Sequence, residues 1–202
     1  MSATGVAWFK RGIQSYFHGL REAGRHTYRN LRILRVFSER IMTPRALPHP
    51  VRNVLFVCAR NLCRSPLAEA YFRDKARKES VLISVSSAGI ETLPGRPAHS
   101  LAREVAGQFG VSLESHAAKQ LYQKLLDQSD LILVMEMSQR ERLARLYPRE
   151  RQKIFVLGRF CSTGPLDIAD PHRGSREDFR ICFERIKDSC DRLIEKLTQA
   201  RE

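Results

Sequence analysis

The feature that most constrains the fold is an alternation, after residue 50, of short apolar runs and longer amphipathic segments. The apolar runs are NVLFVC, VLISVSSAG, DLILVMEM and KIFVLG. A short run that is apolar on nearly every residue is typical of a parallel strand covered on both faces. Because helical patterns separate these runs, the sequence predicts an α/β fold with a four-stranded parallel sheet flanked by helices on both faces.

The helical segments carry start signals that locate the strand-to-helix loops. The segments are SPLAEAYFRDKARK, AHSLAREVAGQFG, SQRERLARLYP and SREDFRICFERIKDSCDRLIEKL. Ser65 is expected to N-cap the first of them, with Pro66 at a position that tolerates proline. Ser138 and Glu141 stand at capping-box spacing in the third. Each loop should therefore be short and should lie at a strand end.

A boundary near TPRALPHPVRN divides the chain into two parts. Pro44, Pro48 and Pro50 discourage helix and favour an extended connector. Before them, apolar residues recur at three- and four-residue steps, which predicts two amphipathic helical pieces. We therefore expect a helical N-terminal extension with its linker over residues 1–50, and an α/β domain over residues 51–202.

The extension is strongly basic. Residues 1–47 hold nine Lys or Arg and two Glu, in a chain whose net charge is +13. An arginine-rich amphipathic segment suits an anionic membrane surface or an acidic partner. A solvated tail, a nucleic-acid contact and an organelle transit peptide are the other interpretations. We favour the membrane surface or the acidic partner, and nucleic acid is the least favoured.

The cysteine count and the absence of membrane signals indicate a cytoplasmic protein. Five cysteines are an odd number, and a chain of 202 residues has no need of disulfide staples. No apolar run approaches the roughly 20 residues that span a membrane, and the N-terminus lacks a secretory pattern. We expect a cytoplasmic location, with peripheral attachment to the membrane through the extension as the alternative.

The loop VCARNLCRSP, between the first strand and the first helix, carries the clearest chemical signal. The N–H groups and dipole of a helix N-terminus attract an anion, and Arg64 adds a planar fork suited to two phosphate oxygens. The same positive surroundings favour the thiolate of Cys58, which lies at the strand end. A thiolate beneath a phosphoryl group is placed for in-line attack, and Ser65 can donate a hydrogen bond to it.

Such a thiolate needs an acid that protonates the leaving oxygen. The segment DIADPHRGS follows the last strand and should reach the same sheet edge as Cys58. Asp170 is the preferred acid because Pro171 stiffens its loop and holds it extended. Asp167 is the rival, but no proline follows it.

These segments together resemble the low-molecular-weight protein tyrosine phosphatases, particularly the bacterial ones. The resemblance covers about residues 51–197 and rests on VLFVCARNLCRSPLAEA, SSAG, DLILVME, YP and DIADPHRGSREDF. It implies hydrolysis of protein phosphotyrosine through a phosphocysteine, with Cys58 as nucleophile, Arg64 as phosphate clamp and Asp170 as acid and then base. It also implies an autophosphorylated bacterial tyrosine kinase that controls exopolysaccharide export as the substrate.

The resemblance further implies the make-up of the phosphate loop. The supporting residues are Ala59, Arg60, Asn61, Leu62, Cys63 and Ser65. Cys63 corresponds to the cysteine that forms a reversible disulfide with the nucleophile in the family, and filling loop space is its other reading. The family uses no metal or cofactor, and no histidine of this chain shows metal-ligand spacing.

Three loop positions bear on specificity. Arg60 stands where the family has glycine, so either the loop has a shape that arginine can adopt or its geometry differs. His172 stands where many members have an aromatic residue walling the substrate slot. Leu62 matches the aliphatic residue of the tyrosine phosphatases, whereas the arginine-phosphate phosphatases of the family have threonine there.

Two other functions remain open on this scaffold. An arsenate reductase would need a relay of redox cysteines, and Pro66 and the Asp-Pro pair argue against it. A phosphate- or phosphopeptide-binding module without turnover would follow if Arg60 distorted the loop. We predict an enzyme, a cysteine-dependent protein-tyrosine-phosphatase.

Overall fold

The computed structural model describes residues 46–199, and these residues form one α/β domain. The four strands are β1 Asn53–Cys58, β2 Ser84–Gly89, β3 Leu131–Val134 and β4 Ile154–Val156. The five α-helices are α1 Arg64–Lys78, α2 Ser100–Gln108, α3 Gln123–Asp127, α4 Met137–Leu146 and α5 Arg176–Gln199. Two short 3₁₀ helices, Pro148–Glu150 and Leu157–Phe160, lie on either side of β4.

The sheet is fully parallel, with the strand order β2-β1-β3-β4. Val57 of β1 pairs with Val134 of β3, and Val134 in turn pairs with Val156 of β4. The carboxyl ends of these three strands therefore lie side by side. Every loop that leaves them starts from the same edge of the sheet, where ligands of open α/β sheets bind.

Both faces of the sheet are buried, as the apolar runs predict. Phe56 and Leu133 point into the main core, together with Phe72 of α1 and Phe183 of α5. The alternate strand residues, such as Leu55, are equally inaccessible, and α4 packs on β3 and β4. The prediction of a four-stranded parallel sheet with helices on both faces is confirmed.

Strand β2 is shorter than the apolar run VLISVSSAG. Its pairing with β1 begins where β1 begins, at Asn53 opposite Ser84. Residues 81–83 have no strand beside them, and Val81 contributes to the core from an irregular segment. The apolar composition of residues 81–83 therefore made the predicted strand longer than the hydrogen-bonded one.

Both predicted serine caps are wrong. Helix α1 begins at Arg64 with Cys63 at its N-cap and no capping side chain. The Ser65 hydroxyl lies instead 3.0 Å from the Cys58 sulfur. Helix α4 begins at Met137, after an extended Glu136, and the Ser138 hydroxyl bonds the Glu136 carboxylate at 3.2 Å. In both places another side chain, the Cys58 thiol or the Glu136 carboxylate, takes the hydroxyl that the helix end would otherwise use.

Two further points concern the predicted organisation. Helix α3 was not predicted, because five residues are too few to show a helical period. The extension predicted for residues 1–50 lies, up to residue 45, outside the described residues. Within the part of the chain that is described, no helix has the length and apolar character needed to cross a membrane.

Candidate active site

The site lies at the carboxyl ends of β1, β3 and β4. Cys58 ends β1, Glu136 follows β3, and the segment with Ile168 and Asp170 follows the 3₁₀ helix after β4. The Ile168 N–H donates to the Met135 carbonyl at 2.8 Å, which ties this last segment to the end of β3. Side chains far apart in sequence therefore converge on the loop of residues 58–65.

The Cys58 sulfur sits beneath this loop and has two hydrogen-bond partners. The Asn61 N–H donates to it at 3.3 Å, and the Ser65 hydroxyl lies 3.0 Å away. Cys58 is almost fully buried, with 3% of its surface exposed. No side chain caps α1, so the first N–H groups of that helix remain available to an anion above the sulfur.

Asn61 holds the loop in shape through both its backbone and its side chain. Its φ is +54°, a left-handed conformation that asparagine adopts more readily than most residues. Its Nδ2 donates to the hydroxyls of Ser65 at 2.9 Å and Ser87 at 2.8 Å. Its Oδ1 accepts from the Lys119 N–H at 2.8 Å, and its carbonyl lies 2.9 Å from His116 Nε2. The turn is thus fixed from three directions.

A buried carboxylate sets the direction of these hydrogen bonds. Ser87 donates its hydroxyl proton to Glu69, so its oxygen is free to accept from Asn61. Asn61 also donates to the Ser65 oxygen, which leaves the Ser65 proton for one of two acceptors, the Cys58 sulfur at 3.0 Å or the Ala88 carbonyl at 3.5 Å. The sulfur is the nearer of the two, and the chain of donors runs on to it when Ser65 donates there.

Arg64 is the largest fully buried polar side chain of the site, with 1% of its surface exposed. Its Nη1 contacts the Glu136 carboxylate and donates to the Ile168 carbonyl at 2.9 Å. Its Nη2 lies 2.9 Å from Asp170 Oδ2. Its Nε is buried and has no hydrogen-bond partner among the described residues, which leaves one donor for a ligand.

The charges around Arg64 keep the guanidinium protonated. Burial by itself lowers the pKa of Arg64, but the charges of Cys58, Asp170 and Glu136 outweigh it and raise the pKa. Arg64 therefore stays positively charged within the site.

Asp170 and Asp167 have different surroundings. Asp170 is 44% exposed and contacts Arg64, so it faces both the site and solvent. Asp167 Oδ1 accepts the Met137 N–H at 2.8 Å and thus anchors the start of α4. Of the two candidate acids, Asp170 is the one that lies beside the loop arginine.

Arg60 fits the loop without a left-handed backbone. Its φ is not positive, so the position does not demand glycine. Its carbonyl accepts from the Thr92 hydroxyl at 2.6 Å, and its Nη1 lies 3.3 Å from His172 Nε2. The glycine that the loop does require is Gly89, where a Cβ would lie 2.8 Å from the Arg60 carbonyl carbon.

Leu62, Cys63 and His172 complete the surroundings of the loop. Leu62 is buried, and its carbonyl accepts the His99 N–H at 2.8 Å. Cys63 Sγ lies 3.9 Å from His172 Nδ1, and His172 packs edge-on against His99 with ring centroids 5.3 Å apart. The imidazole of His172 thus lies against the loop residues Arg60 and Cys63.

The cysteines are all free and buried. Burial, reinforced by the charges of Asp170 and Cys58, raises the pKa of Cys63 well above that of an ordinary thiol. Cys63 is therefore a neutral thiol in this reduced structure. In residues 46–199, no cluster of histidine, cysteine, aspartate or glutamate could hold a metal ion.

The sequence pattern of the low molecular weight phosphotyrosine protein phosphatases matches residues 53–202. The chain belongs to this family. The family, the fold and the phosphatase class predicted from the sequence are thereby confirmed.

Other proteins of the phosphatase family share this domain almost end to end. The probable low molecular weight protein-tyrosine-phosphatase EpsP of Ralstonia nicotianae is 35% identical over 73% of this chain and 97% of its own. A protein-arginine-phosphatase of Bacillus subtilis is 30% identical over 74% of this chain and 99% of its own. A crystal structure of the low molecular weight protein tyrosine phosphatase from T. tengcongensis superposes with a TM-score of 0.68 at 36% identity, covering 72% of this chain and 99% of that one.

The structure brings the predicted residues of this phosphatase domain together and adds others. Cys58, Arg64 and Asp170 converge as expected from strand ends. Sequence reasoning did not assign a role to Glu136 or to the buried Glu69. For Glu136 a signal existed, since an acid directly after an apolar strand must lie at the sheet edge that carries the site.

Proposed function

We propose that this protein hydrolyses phosphotyrosine in proteins through a phosphocysteine intermediate. The observation that carries the proposal is the buried Cys58 sulfur, hydrogen-bonded from the loop and near enough to the buried Arg64 guanidinium for the two groups to interact electrostatically. The unpartnered Nε of Arg64 and the uncapped start of α1 together supply donors for phosphate oxygens.

In the first step the Cys58 sulfur attacks phosphorus and the bond from phosphorus to the phenolic oxygen breaks. Asp170, protonated for this step, gives its proton to the departing oxygen. Arg64 stays charged throughout and stabilises the equatorial oxygens, where negative charge accumulates in the transition state. The products of this step are the dephosphorylated tyrosine and phosphocysteine.

In the second step water hydrolyses the phosphocysteine. Asp170, now a carboxylate, takes a proton from the water. The water oxygen attacks phosphorus, and the Cys58 sulfur leaves. The Ser65 hydroxyl and the Asn61 N–H lie within hydrogen-bonding distance of that sulfur and stabilise it as a thiolate leaving group. No step in this sequence needs a metal ion or an organic cofactor.

Leu62 supports phosphotyrosine as the substrate rather than phosphoarginine. Leu62 is aliphatic, whereas the arginine-phosphate phosphatases, whose loop is similar to this one, have threonine at that position. The relative from Bacillus subtilis named as a protein-arginine-phosphatase makes phosphoarginine the alternative to be measured. An autophosphorylated tyrosine kinase that controls exopolysaccharide export is the protein substrate that we propose.

The test is hydrolysis of para-nitrophenyl phosphate, a phosphotyrosine peptide and a phosphoarginine peptide under reducing conditions. We expect turnover of the first two, none above background with Cys58→Ser, and a fall of about 10²–10⁴-fold with Asp170→Ala. Asp167→Ala is the matched control and should retain far more activity, because that carboxylate anchors α4.

The remaining outcomes separate the other functions. If the phosphoarginine peptide were turned over faster than the phosphotyrosine peptide, phosphoarginine would be the preferred substrate. Thioredoxin-dependent turnover of arsenate without phosphatase activity would indicate a reductase. Binding of phosphopeptide by an inactive wild-type protein would indicate a module that holds phosphate without transferring it.

A further inference from the structure

A groove of about 490 Å³ opens beside the phosphate loop. Arg60 and Leu62 of the loop form one wall, and the segment with Ile90, Leu93 and Arg96 forms the other. The groove therefore adjoins the loop, since two loop residues line it. A peptide whose phosphorylated side chain entered the loop would have to pass its neighbouring residues over such a surface.

Hydrogen bonds hold the outer wall of the groove in place. The Thr92 N–H donates to Gln120 Oε1 at 2.9 Å, and Gln120 Nε2 donates to the Ile90 carbonyl at 2.8 Å. The Arg96 carbonyl accepts from the Ala118 N–H at 2.8 Å. The backbone that carries the groove is thus tied to the neighbouring segment rather than left as an open loop.

The charge of the groove is positive. Neither Arg60 nor Arg96 forms a salt bridge with any residue in the described part of the chain. The carboxylate of Glu91, which also lines the groove, is paired with Arg142, and this hydrogen bond together with the charges of Arg142 and Arg60 lowers the pKa of Glu91. Glu91 is thus shared between Arg142 and the more distant Arg60, and the two exposed guanidinium groups of the groove form no ion pair of their own.

Arg60 is oriented along the rim by an imidazole rather than by a carboxylate. A guanidinium can only donate, so His172 Nε2 accepts the hydrogen bond from Arg60 Nη1. This contact engages Nη1 without an ion pair and keeps the guanidinium next to the phosphate loop. The remaining N–H groups of its guanidinium donate to no described residue.

We infer that the groove lined by Arg60 and Arg96 binds acidic residues of the protein substrate next to the phosphorylated residue. The inference rests on the proposed phosphatase function and adds a substrate class to it. The apolar side chains of Ile90 and Leu93 in the outer wall contact the aliphatic part of a glutamate side chain, while the guanidinium groups pair with its carboxylate.

The experiment compares three phosphotyrosine peptides that differ only in having Glu, Gln or Lys on both sides of the phosphotyrosine. Wild type should hydrolyse the Glu peptide with the highest kcat/KM and the Lys peptide with the lowest. Added salt should shrink the difference, since exposed charges are screened. Each of Arg60→Gln and Arg96→Gln should lower the Glu-to-Gln ratio of kcat/KM by about 2- to 5-fold, as expected for an exposed ion pair.

Matched variants separate charge from shape. Arg60→Lys and Arg96→Lys retain the charge and should retain most of the preference. Arg149→Gln removes an exposed arginine before β4, at the opposite sheet edge, and should leave the ratio unchanged. Each ratio is taken within one variant, so a general loss of activity does not affect it.

Equal kcat/KM for the Glu and Gln peptides in wild type would overturn the inference while the phosphatase function stood. So would an unchanged ratio in the double variant Arg60→Gln, Arg96→Gln. If no peptide and no para-nitrophenyl phosphate were turned over, the proposed function would fail instead. The groove would then be tested by the affinity of the Cys58→Ser protein for the Glu and Gln peptides.

Discussion

Replacing Asn61 with alanine should destabilise the domain more than any ordinary loop substitution. Asn61 is completely buried, and its side chain makes three hydrogen bonds, to Ser65, Ser87 and the Lys119 N–H. A net contribution of about 1 kcal/mol for each gives roughly 3 kcal/mol. Alanine at φ +54° adds about 1 kcal/mol, because its Cβ crowds the backbone in the left-handed region.

The expected loss is therefore about 4 kcal/mol of unfolding free energy. For a domain of this size it corresponds to a fall in Tm of about 8–16 °C. The measurement is urea denaturation monitored by far-UV circular dichroism. The free energies are compared with the same slope against urea concentration for each protein. Asn61→Gly is the matched control, since it removes the same side chain but adopts a positive φ freely.

The comparison of the two variants isolates the backbone contribution. Asn61→Gly should be more stable than Asn61→Ala by up to about 0.5 kcal/mol, because the strain of alanine at this φ, about 1 kcal/mol, exceeds the roughly 0.5–1 kcal/mol of extra chain entropy that glycine loses on folding. A loss below about 1.5 kcal/mol for alanine would refute the hydrogen-bond reasoning. Alanine more stable than glycine would refute the reasoning about the left-handed turn.

Four further substitutions test other parts of the structure. Glu136→Gln should lower kcat/KM for para-nitrophenyl phosphate by about 10- to 100-fold, because the buried Arg64 guanidinium loses a charged partner that positions it; unchanged kinetics would exclude that role. Gly89→Ala should lower both activity and Tm, because its Cβ would lie 2.8 Å from the loop backbone, whereas Gly107→Ala, with nothing within 4 Å, should stabilise its helix by about 0.5–1 kcal/mol. Burial raises the pKa of Cys182 from 9.0 to about 12, so between these values the unfolded chain binds fewer protons and stability should fall as pH rises above about 9. Urea denaturation at pH 8 and pH 10 should show a smaller fall for Cys182→Ala, and an equal fall would contradict the assignment.

The strands and the catalytic loop were predictable because their signals are local. Apolar runs mark β1, β3 and β4, and the side-chain spacing in VCARNLCRSP marks the phosphate loop. Chain order along a parallel sheet then places the Asp170 segment at the same edge. These inferences need only the strand period and the direction of parallel strands.

The helix starts were less predictable because two uses compete for one hydroxyl. Ser65 has the residue type and position of an N-cap, yet its oxygen faces the Cys58 sulfur. Ser138 likewise bonds Glu136, which is itself drawn to Arg64. Capping rules treat a helix end in isolation, whereas here the site decides where the side chain points.

The sequence by itself determined the sheet, the loop that holds Cys58 and Arg64, and the Asp170 segment that follows the last strand. Only the tertiary structure decided that Arg60 keeps an ordinary backbone while Gly89 makes room for it. It also decided that Glu69 orders the hydrogen bonds that reach the sulfur, across residues 61, 65 and 87. The physical reason is that composition and periodicity report which face of an element is buried, whereas hydrogen-bond direction and steric room depend on atoms that distant segments bring together.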